Sequence, residues 1–309
     1  MKNEIKVFAS ASVSNVACGF DIMGFAIDQP GDEIILRLNE HPGVRITNIC
    51  GDSGKLPTDP TKNTAGAPVL ALLEHLGSKA GIEMEVHKKM PLGSGLGSSA
   101  ASAVAAAFAL NELLNAGLSK KELLPFAIEG EKIASGAVHA DNVAPCLYGG
   151  FVLIRGYNPI DVIEIPVPDE LHCTILHSKI EINTLEARRI LPKEIPLMKA
   201  KTQWGNTAGL IAGLMKKDFG LISRSLEDVI VEPVRASLIP GYEKIKNAAM
   251  ESGALGCNIS GSGPAIFALS TSKEKAEEIG RAMKMEVDKI DLQSTVYISK
   301  INKQGPRVV

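Results

Sequence analysis

Residues 91–101 read Pro-Leu-Gly-Ser-Gly-Leu-Gly-Ser-Ser-Ala-Ala, and seven alanines fill the eleven positions 100–110. No other stretch constrains the fold as tightly. Glycines at alternate positions, Gly93, Gly95 and Gly97, remove side chains and allow left-handed backbone, so that backbone N–H groups can converge on one point. The alanine run has high helix propensity. A helix opening at Ser98 turns its unpaired N–H groups and its positive dipole end toward the loop. Small side chains also let such a helix approach other backbone closely. The junction therefore suits an anion, and phosphate above all. Pro91, Leu92, Gly93, Ser94, Gly95, Leu96, Gly97, Ser98, Ser99, Ala100 and Ala101 are its candidate anion-binding residues. Taken alone, the segment also fits a glycine-rich turn with a serine cap. It is not a Walker A loop, because no lysine follows the glycines. Nor is it a dinucleotide fingerprint, because Ser98 stands where the third glycine belongs and the chain is still helical where the acidic strand end should fall.

Composition excludes several classes. The chain has 309 residues, 45% hydrophobic and 22% charged, which suits a folded core and not a disordered chain. A formal charge of −2 argues against general nucleic-acid binding, which needs concentrated positive charge. The uncharged windows Met90–Asn111 and Ser252–Ser272 are rich in Gly, Ser and Ala, so no membrane span is expected. The charged start Met1-Lys2-Asn3-Glu4-Ile5-Lys6 does not read as a signal peptide. Cys18, Cys50, Cys146, Cys173 and Cys257 show no metal-ligand spacing and are odd in number, so free thiols in a reducing compartment are expected. The expectation is a soluble, cytoplasmic protein.

Periodicity predicts strands over Ile5–Val13, Glu33–Leu38, Ile82–His87 and Gly150–Ile154, with helices over Asn63–Leu76, Ser98–Ala116 and Ser119–Ala134. Ser119 and Glu122 form a capping-box pattern ahead of the last of these. A polar loop is expected over Ser135–Asn142. A strand-rich stretch follows, punctuated by Pro159, Pro166 and Pro168. Helices are then expected around Lys199–Lys217, Leu221–Val229 and Tyr242–Ser252. The remainder reads as a strand–turn–strand unit (Leu255–Leu269), a charged helix (Lys273–Met285) and a last strand (Thr295–Ile301). Helices and strands mixed without regular alternation predict an α+β fold. Two domains are expected, 1–155 and 156–309.

Other segments are candidates for chemistry. Ser10–Asp21 leaves a strand through small polar residues and ends on a loop carboxylate. Glu129 and Glu131 lie two apart on a helix, so at most one can face a given site. A single inward Glu131 beside Ser98 and Ser99 would suit Mg²⁺, which takes one or two protein carboxylates together with phosphate oxygens. A salt-bridged surface glutamate is the plainer reading of the same residue. Gly261-Ser262-Gly263-Pro264 reads as a second tight turn.

Three of these segments, Asn15-x-x-x-Gly19-Phe20-Asp21, Pro91–Ala101 and the Gly253–Pro264 run Gly-Ala-Leu-Gly-x-x-Ile-Ser-Gly-Ser-Gly-Pro, resemble in order and spacing the GHMP family of small-molecule kinases. His139-Ala-Asp-Asn142-Val-Ala-Pro145, Thr184-x-Glu-Ala-Arg188-x-x-Leu-Pro192 and Val231-Glu-Pro-Val-Arg235 resemble a branch acting on a hydroxyl-bearing amino acid. The resemblance runs from about residue 5 to 270. Ser10, Ala17 and Cys18 depart from it, standing where the family has Pro, Gly and Pro.

The resemblance implies a two-domain fold, the first domain like ribosomal protein S5 domain 2 and the second ferredoxin-like. It implies ATP over the glycine-rich loop with Asn63 near the adenine, and Mg²⁺ on Glu131 and a serine hydroxyl, Ser99 being the candidate. The substrate would meet Asn15, Asp21, His139, Asn142, Thr184, Arg188 and Arg235, with Asp141, Asn142 and Glu131 as the catalytic candidates. A homodimer is the family-level expectation. Asp21 would take the substrate's ammonium, and the two arginines its carboxylate. A related kinase for another small alcohol and a non-catalytic nucleotide-binding regulator are the competing expectations.

Overall fold

The computed structural model describes residues 3–135 and 139–309. Met1, Lys2 and the middle of the expected polar loop, residues 136–138, lie outside the described residues. The first half contains β1 (Glu4–Ser14), β2 (Met23–Asn39), β3 (Gly43–Cys50), α1 (Gly66–His75), β4 (Gly81–His87), α2 (Ser98–Leu113), α3 (Lys120–Ser135), α4 (Ala140–Tyr148), β5 (Phe151–Tyr157) and β6 (Ile160–Ile165). The second contains β7 (His172–Ser178), α5 (Thr184–Arg189), α6 (Leu197–Lys216), α7 (Phe219–Ser225), α8 (Glu232–Arg235), α9 (Tyr242–Glu251), β8 (Gly256–Ile259), β9 (Ile266–Ser270), α10 (Lys273–Asp288), β10 (Ser294–Lys300) and β11 (Arg307–Val308).

β1 to β6 and β11 form one seven-stranded sheet, in which β2 pairs with β1, β4 and β5 along its 17 residues. The parallel pair β3–β4 is joined through α1. α2 runs along β1 and β2 and touches α1, α3 and α4. It is buried on almost every side, which explains the alanines: a helix enclosed all round must be apolar all round, and methyl side chains allow the close approach. The fit is tight at Gly130 on α3, where an added Cβ would stand 2.6 Å from the Ala103 methyl and 2.2 Å from the Thr64 carbonyl oxygen.

β7 to β10 form a second sheet in the order β10-β7-β9-β8, every neighbour antiparallel. With α9 and α10 this is the expected ferredoxin-like arrangement, and α5 to α8 are inserted between its first strand and first helix. Side chains along β9 alternate as a sheet buried on both faces requires. Ile266 and Ala268 join the core under α9 and α10, whereas Phe267 and Leu269 join the core shared with the first sheet. Phe25 ties the two halves together, stacking on Phe151 at 4.5 Å and meeting Phe267 edge-on at 5.8 Å.

Several elements differ from expectation. Residue 155 falls inside β5, because β5 and β6 form a hairpin that stays with the first sheet; we place the division between Ile165 and His172. The chain end returns to the first sheet, where β11 covers the outer edge of β1, an edge that would otherwise present unpaired backbone. The expected polar loop stops short, since α4 begins at Ala140 and buries Val143, Ala144 and Leu147. α5 was not foreseen; Asn183 caps it, accepting from the backbone N–H of Leu185 at 2.9 Å. All five cysteines are free thiols. Among the described residues no helix is long and apolar enough to cross a membrane.

Candidate active site

A cleft of about 490 Å³ lies between the two halves, bounded by the glycine-rich loop, the start of α2, the loop after β1, the last turns of α3, the start of α4, α5 and the Gly261–Ser262 turn. The two glycine-rich turns interlock at its floor. Ser260 Oγ donates to the Gly95 carbonyl at 2.6 Å, and Ala265 N–H donates to the Ser94 carbonyl at 3.2 Å. A Cβ on Gly95 would come within 2.5 Å of the Ser260 carbonyl oxygen, so only glycine fits that contact.

Gly97 is left-handed (φ 66°) and caps α2 without a side chain. The first N–H groups of α2 are therefore not claimed by a capping hydroxyl. The two serines point apart. Ser98 Oγ donates downward to Asp32 at 2.8 Å, and Ser99 Oγ donates to Glu131 Oε2 at 2.8 Å. Beneath the helix start, Lys88 and Asp32 form a fully enclosed ion pair. Lys88 Nζ also donates to the Ser98 carbonyl and to Ser102 Oγ, each at 2.8 Å. Asp32 accepts in turn from the backbone N–H of Lys89 and Met90. Burial pushes the Lys88 ammonium below its ordinary pKa, and Asp32 opposes the shift. This pair fixes the loop's entry and the first turn of α2 to β2.

At the far end, Leu56, Pro57, Lys62 and Thr64 join Asn63 in lining the cleft. Both ends of the Asn63 amide engage backbone: Nδ2 donates to the Pro57 carbonyl at 2.8 Å and Oδ1 accepts from Ala65 N–H at 2.9 Å. Asn63 therefore shapes this end of the cleft.

The loop after β1 supplies the other end. Asn15, Val16 and Ala17 are consecutive left-handed residues, and Asp21 is left-handed as well (φ 60°). Asn15 braces this loop, accepting from Asp21 N–H at 3.0 Å and donating to the Gly261 carbonyl at 2.8 Å. Arg188 grips Asp21 with two guanidinium nitrogens at 2.8 and 2.9 Å. This contact holds the Arg188 pKa above its ordinary value. Arg235 is pinned by backbone carbonyls, those of Gly261 at 2.9 Å and Ala187 at 3.2 Å. Both guanidiniums stack on the Phe20 ring, at 5.4 and 5.3 Å. Thr184 Oγ1 lies 3.3 Å from Ser262 Oγ.

Between the two ends sit His139, Asp141, Asn142 and Glu131. Helical periodicity is obeyed: Glu131 is buried, and Glu129 pairs with Lys132 at the surface. His139 Nδ1 lies 3.5 Å from Glu131 Oε1, and its Nε2 lies 3.1 Å from an Arg188 nitrogen. Glu131 raises the imidazole's pKa, and Arg188 opposes it. A guanidinium has only protons to offer, so the Arg188 contact is a hydrogen bond only in the tautomer whose Nε2 accepts and whose proton sits on Nδ1, facing Glu131. Asn142 is held by two serines, Oδ1 accepting from Ser12 Oγ and Nδ2 donating to Ser14 Oγ, both at 3.0 Å. Asp141 is buried, and among the described residues its Oδ1 has no hydrogen-bond partner. Burial first, then repulsion from Asp21, pushes its carboxyl up to about 7.

The cleft thus gathers Asn15, Asp21, Asn63, Leu92, Gly93, Ser94, Gly95, Gly97, Ser98, Ser99, Glu131, His139, Asp141, Asn142, Thr184, Arg188 and Arg235. Leu96, Ala100 and Ala101 do not line it; they are core residues, since the loop needs an apolar anchor and α2 is enclosed. Pro91 faces a separate groove beside His177 and Lys179. Sequence reasoning missed Asp32 and Lys88, and it gave no separate role to Phe20, Ser12 or Ser14 within the Ser10–Asp21 segment it singled out. A lysine ending an apolar strand just ahead of a glycine-rich loop was the available signal for Lys88; nothing local marked Asp32.

Family descriptions match both halves: "GHMP kinases N terminal domain" over residues 63–150 and "GHMP kinases C terminal" over residues 210–288. The chain belongs to the GHMP kinase family and has its two-domain α+β fold. It is a kinase of the homoserine kinase branch, as its full-length relatives place it. The homoserine kinase of Chlorobium phaeobacteroides strain BS1 is 53% identical over 98% of each chain. The crystal structure of homoserine kinase from Cytophaga hutchinsonii is 59% identical, with a TM-score of 0.98 over 100% of this chain and 98% of that one. Leishmania major mevalonate kinase, solved with R-mevalonate, shares the fold alone, at 18% identity and a TM-score of 0.76 over 98% of both chains.

Proposed function

We propose that this chain phosphorylates the side-chain hydroxyl of L-homoserine with ATP, giving O-phospho-L-homoserine and ADP, a step of threonine biosynthesis. One observation carries the reading. A single cleft sets the glycine-rich loop and the start of α2 beside a carboxylate and two guanidiniums, Asp21, Arg188 and Arg235. The first half suits phosphates, and the second suits a zwitterion.

The residues near Ser99 also fit Mg²⁺. The buried Glu131 carboxylate and the Ser99 hydroxyl lie 2.8 Å apart beside the start of α2, a hard oxygen pair that phosphate oxygens would complete. Ser99 is better placed than Ser98, whose hydroxyl is turned to Asp32. Mg²⁺ bound there would neutralise charge on the transferring phosphoryl group.

The loop N–H groups and the first turn of α2 would cradle the phosphates, with Gly97 letting the loop pack against Ser12 and Asn142: a Cβ there would stand 2.2 Å from Ser12 Oγ. Asn142, braced by Ser12 and Ser14, would orient the hydroxyl-bearing end of the substrate. Phosphoryl transfer runs through a loose transition state in which the attacking oxygen is barely bonded. Early proton removal therefore gains little, and we assign Asp141 to orienting the hydroxyl, the proton leaving late. We further propose a soluble cytoplasmic homodimer. The exposed Leu197, Met198, Trp204 and Met215 on α6 support a self-associating face.

A coupled ADP-release assay with L-homoserine, mevalonate and a sugar alcohol tests the reading. Turnover of L-homoserine alone is expected; turnover of another alcohol in its place would overturn the assignment, and nucleotide binding without any turnover would do the same.

A further inference from the structure

Two of the proposed substrate-recognition groups are bound to each other. Arg188 makes a two-pronged contact with Asp21, so neither charge is free for a ligand until that contact opens. The two arginines differ in this respect. Arg235 is buried and held by the carbonyls of Ala187 and Gly261, and among the described residues no carboxylate pairs with it. Asp21 is the fixed half of the pair: its N–H is tied to Asn15, and its carbonyl accepts from Tyr157 OH at 2.6 Å. Arg188 is the half that can swing, and its movement also releases the 3.1 Å contact with His139 Nε2. It projects from the six-residue α5, its side chain is 40% exposed, and the Phe20 ring gives its guanidinium a surface to slide on.

Building on the proposed function, we infer that an amino-acid substrate enters by ion-pair exchange: its ammonium takes Asp21 as its carboxylate takes Arg188 alongside Arg235. The exchange makes the site selective for zwitterions. A zwitterion opens one contact and forms two, leaving both protein charges partnered. An alcohol with a carboxylate alone must strip Asp21 of its partner, and one with an ammonium alone must strip Arg188. An uncharged alcohol has nothing to open the pair with. Discrimination by groups left unpaired exceeds discrimination by a missing contact alone.

The exchange makes a prediction that simple contact loss does not. Removing one member of the pair should improve binding of the analogue that needs only the other. Asp21→Asn keeps the left-handed backbone, which asparagine tolerates, and Arg188→Met keeps most of the apolar stem over Phe20. Isothermal titration of wild type and both variants would use L-homoserine, 4-hydroxybutyrate (no ammonium) and 3-aminopropan-1-ol (no carboxylate). Asp21→Asn should bind 4-hydroxybutyrate about 3- to 10-fold more tightly than wild type, the range for a half-exposed charge-assisted pair. Arg188→Met should show the same gain for 3-aminopropan-1-ol, and both variants should bind L-homoserine more weakly. The two variants are independent, so loss of folding in one leaves the other decisive. Analogue affinities unchanged or weakened in the folded variants would overturn the exchange. If wild type then still phosphorylates L-homoserine, the proposed function stands without it; if wild type does not, that function falls on its own assay.

Discussion

Replacing Asp141 by asparagine should stabilise the protein at pH 8 while costing it activity. The carboxyl is buried, its Oδ1 has no hydrogen-bond partner among the described residues, and burial and Asp21 push its pKa up to about 7. An unfolded aspartate titrates near 3.9. Between about pH 4 and pH 7 the unfolded chain therefore releases a proton that the folded protein keeps, so stability falls as pH rises across that window. About three units at 1.36 kcal/mol each sets a ceiling of about 4 kcal/mol, reached above pH 7. The asparagine amide would inherit the unpartnered position, at a cost of about 1–3 kcal/mol. The expected net gain at pH 8 is therefore about 1–3 kcal/mol, shrinking to nothing or reversing below pH 4.5. Urea unfolding of both proteins at half-unit steps from pH 4.5 to 8 measures this directly. A stability difference that does not change with pH would refute the reasoning. The same variant tests the assigned role: kcat should fall by less than about 100-fold, the lower bound of a general base's usual contribution. A larger loss, partly restored by added formate, would make Asp141 the base.

Three further outcomes follow from the geometry. Lys88→Met leaves the Asp32 carboxylate buried without its cation and should cost about 3–5 kcal/mol; thermal melts should show much of this recovered when Asp32→Asn is added. Gly97→Ala forces a left-handed alanine whose Cβ meets Ser12 Oγ and Asn142 Oδ1, so KM for ATP should rise more than about tenfold with little change in mean-residue ellipticity. Glu131→Gln should bind ATP weakly yet lose most turnover, and near-normal rates at saturating Mg²⁺ would remove Glu131 from the metal assignment.

The elements legible in the sequence were those with a local cause. Alternate glycines and a serine-led alanine run announce a loop and a buried helix because dihedral freedom and side-chain volume act over a few residues. The same holds for Glu131 against Glu129, which helical periodicity alone puts on opposite sides. The family resemblance extended this reach to Asn15, Asp21, Arg188 and Arg235 by pattern, without saying how they meet. α4 and α5 escaped notice because both open on locally polar residues: α4 owes its helix to tertiary packing and α5 to the Asn183 cap.

Pairings between distant residues were decided by the tertiary structure alone. Asp32 and Lys88 are 56 positions apart and meet where β2 runs beside the end of β4. Asp21 and Arg188 are 167 apart, and Asn15 and Gly261 are 246 apart; each pair forms only because the two sheets share a core at Phe25, Phe151 and Phe267. Which charges are buried, and therefore which carboxyl keeps its proton, follows from that packing. The sequence by itself marked the loop suited to a phosphate, because that suitability belongs to residue types and short spacings, and pointed to zwitterion-binding candidates only through the family resemblance. The three-dimensional packing decided which of those groups already hold one another, because a charge buried by distant elements must find its partner there.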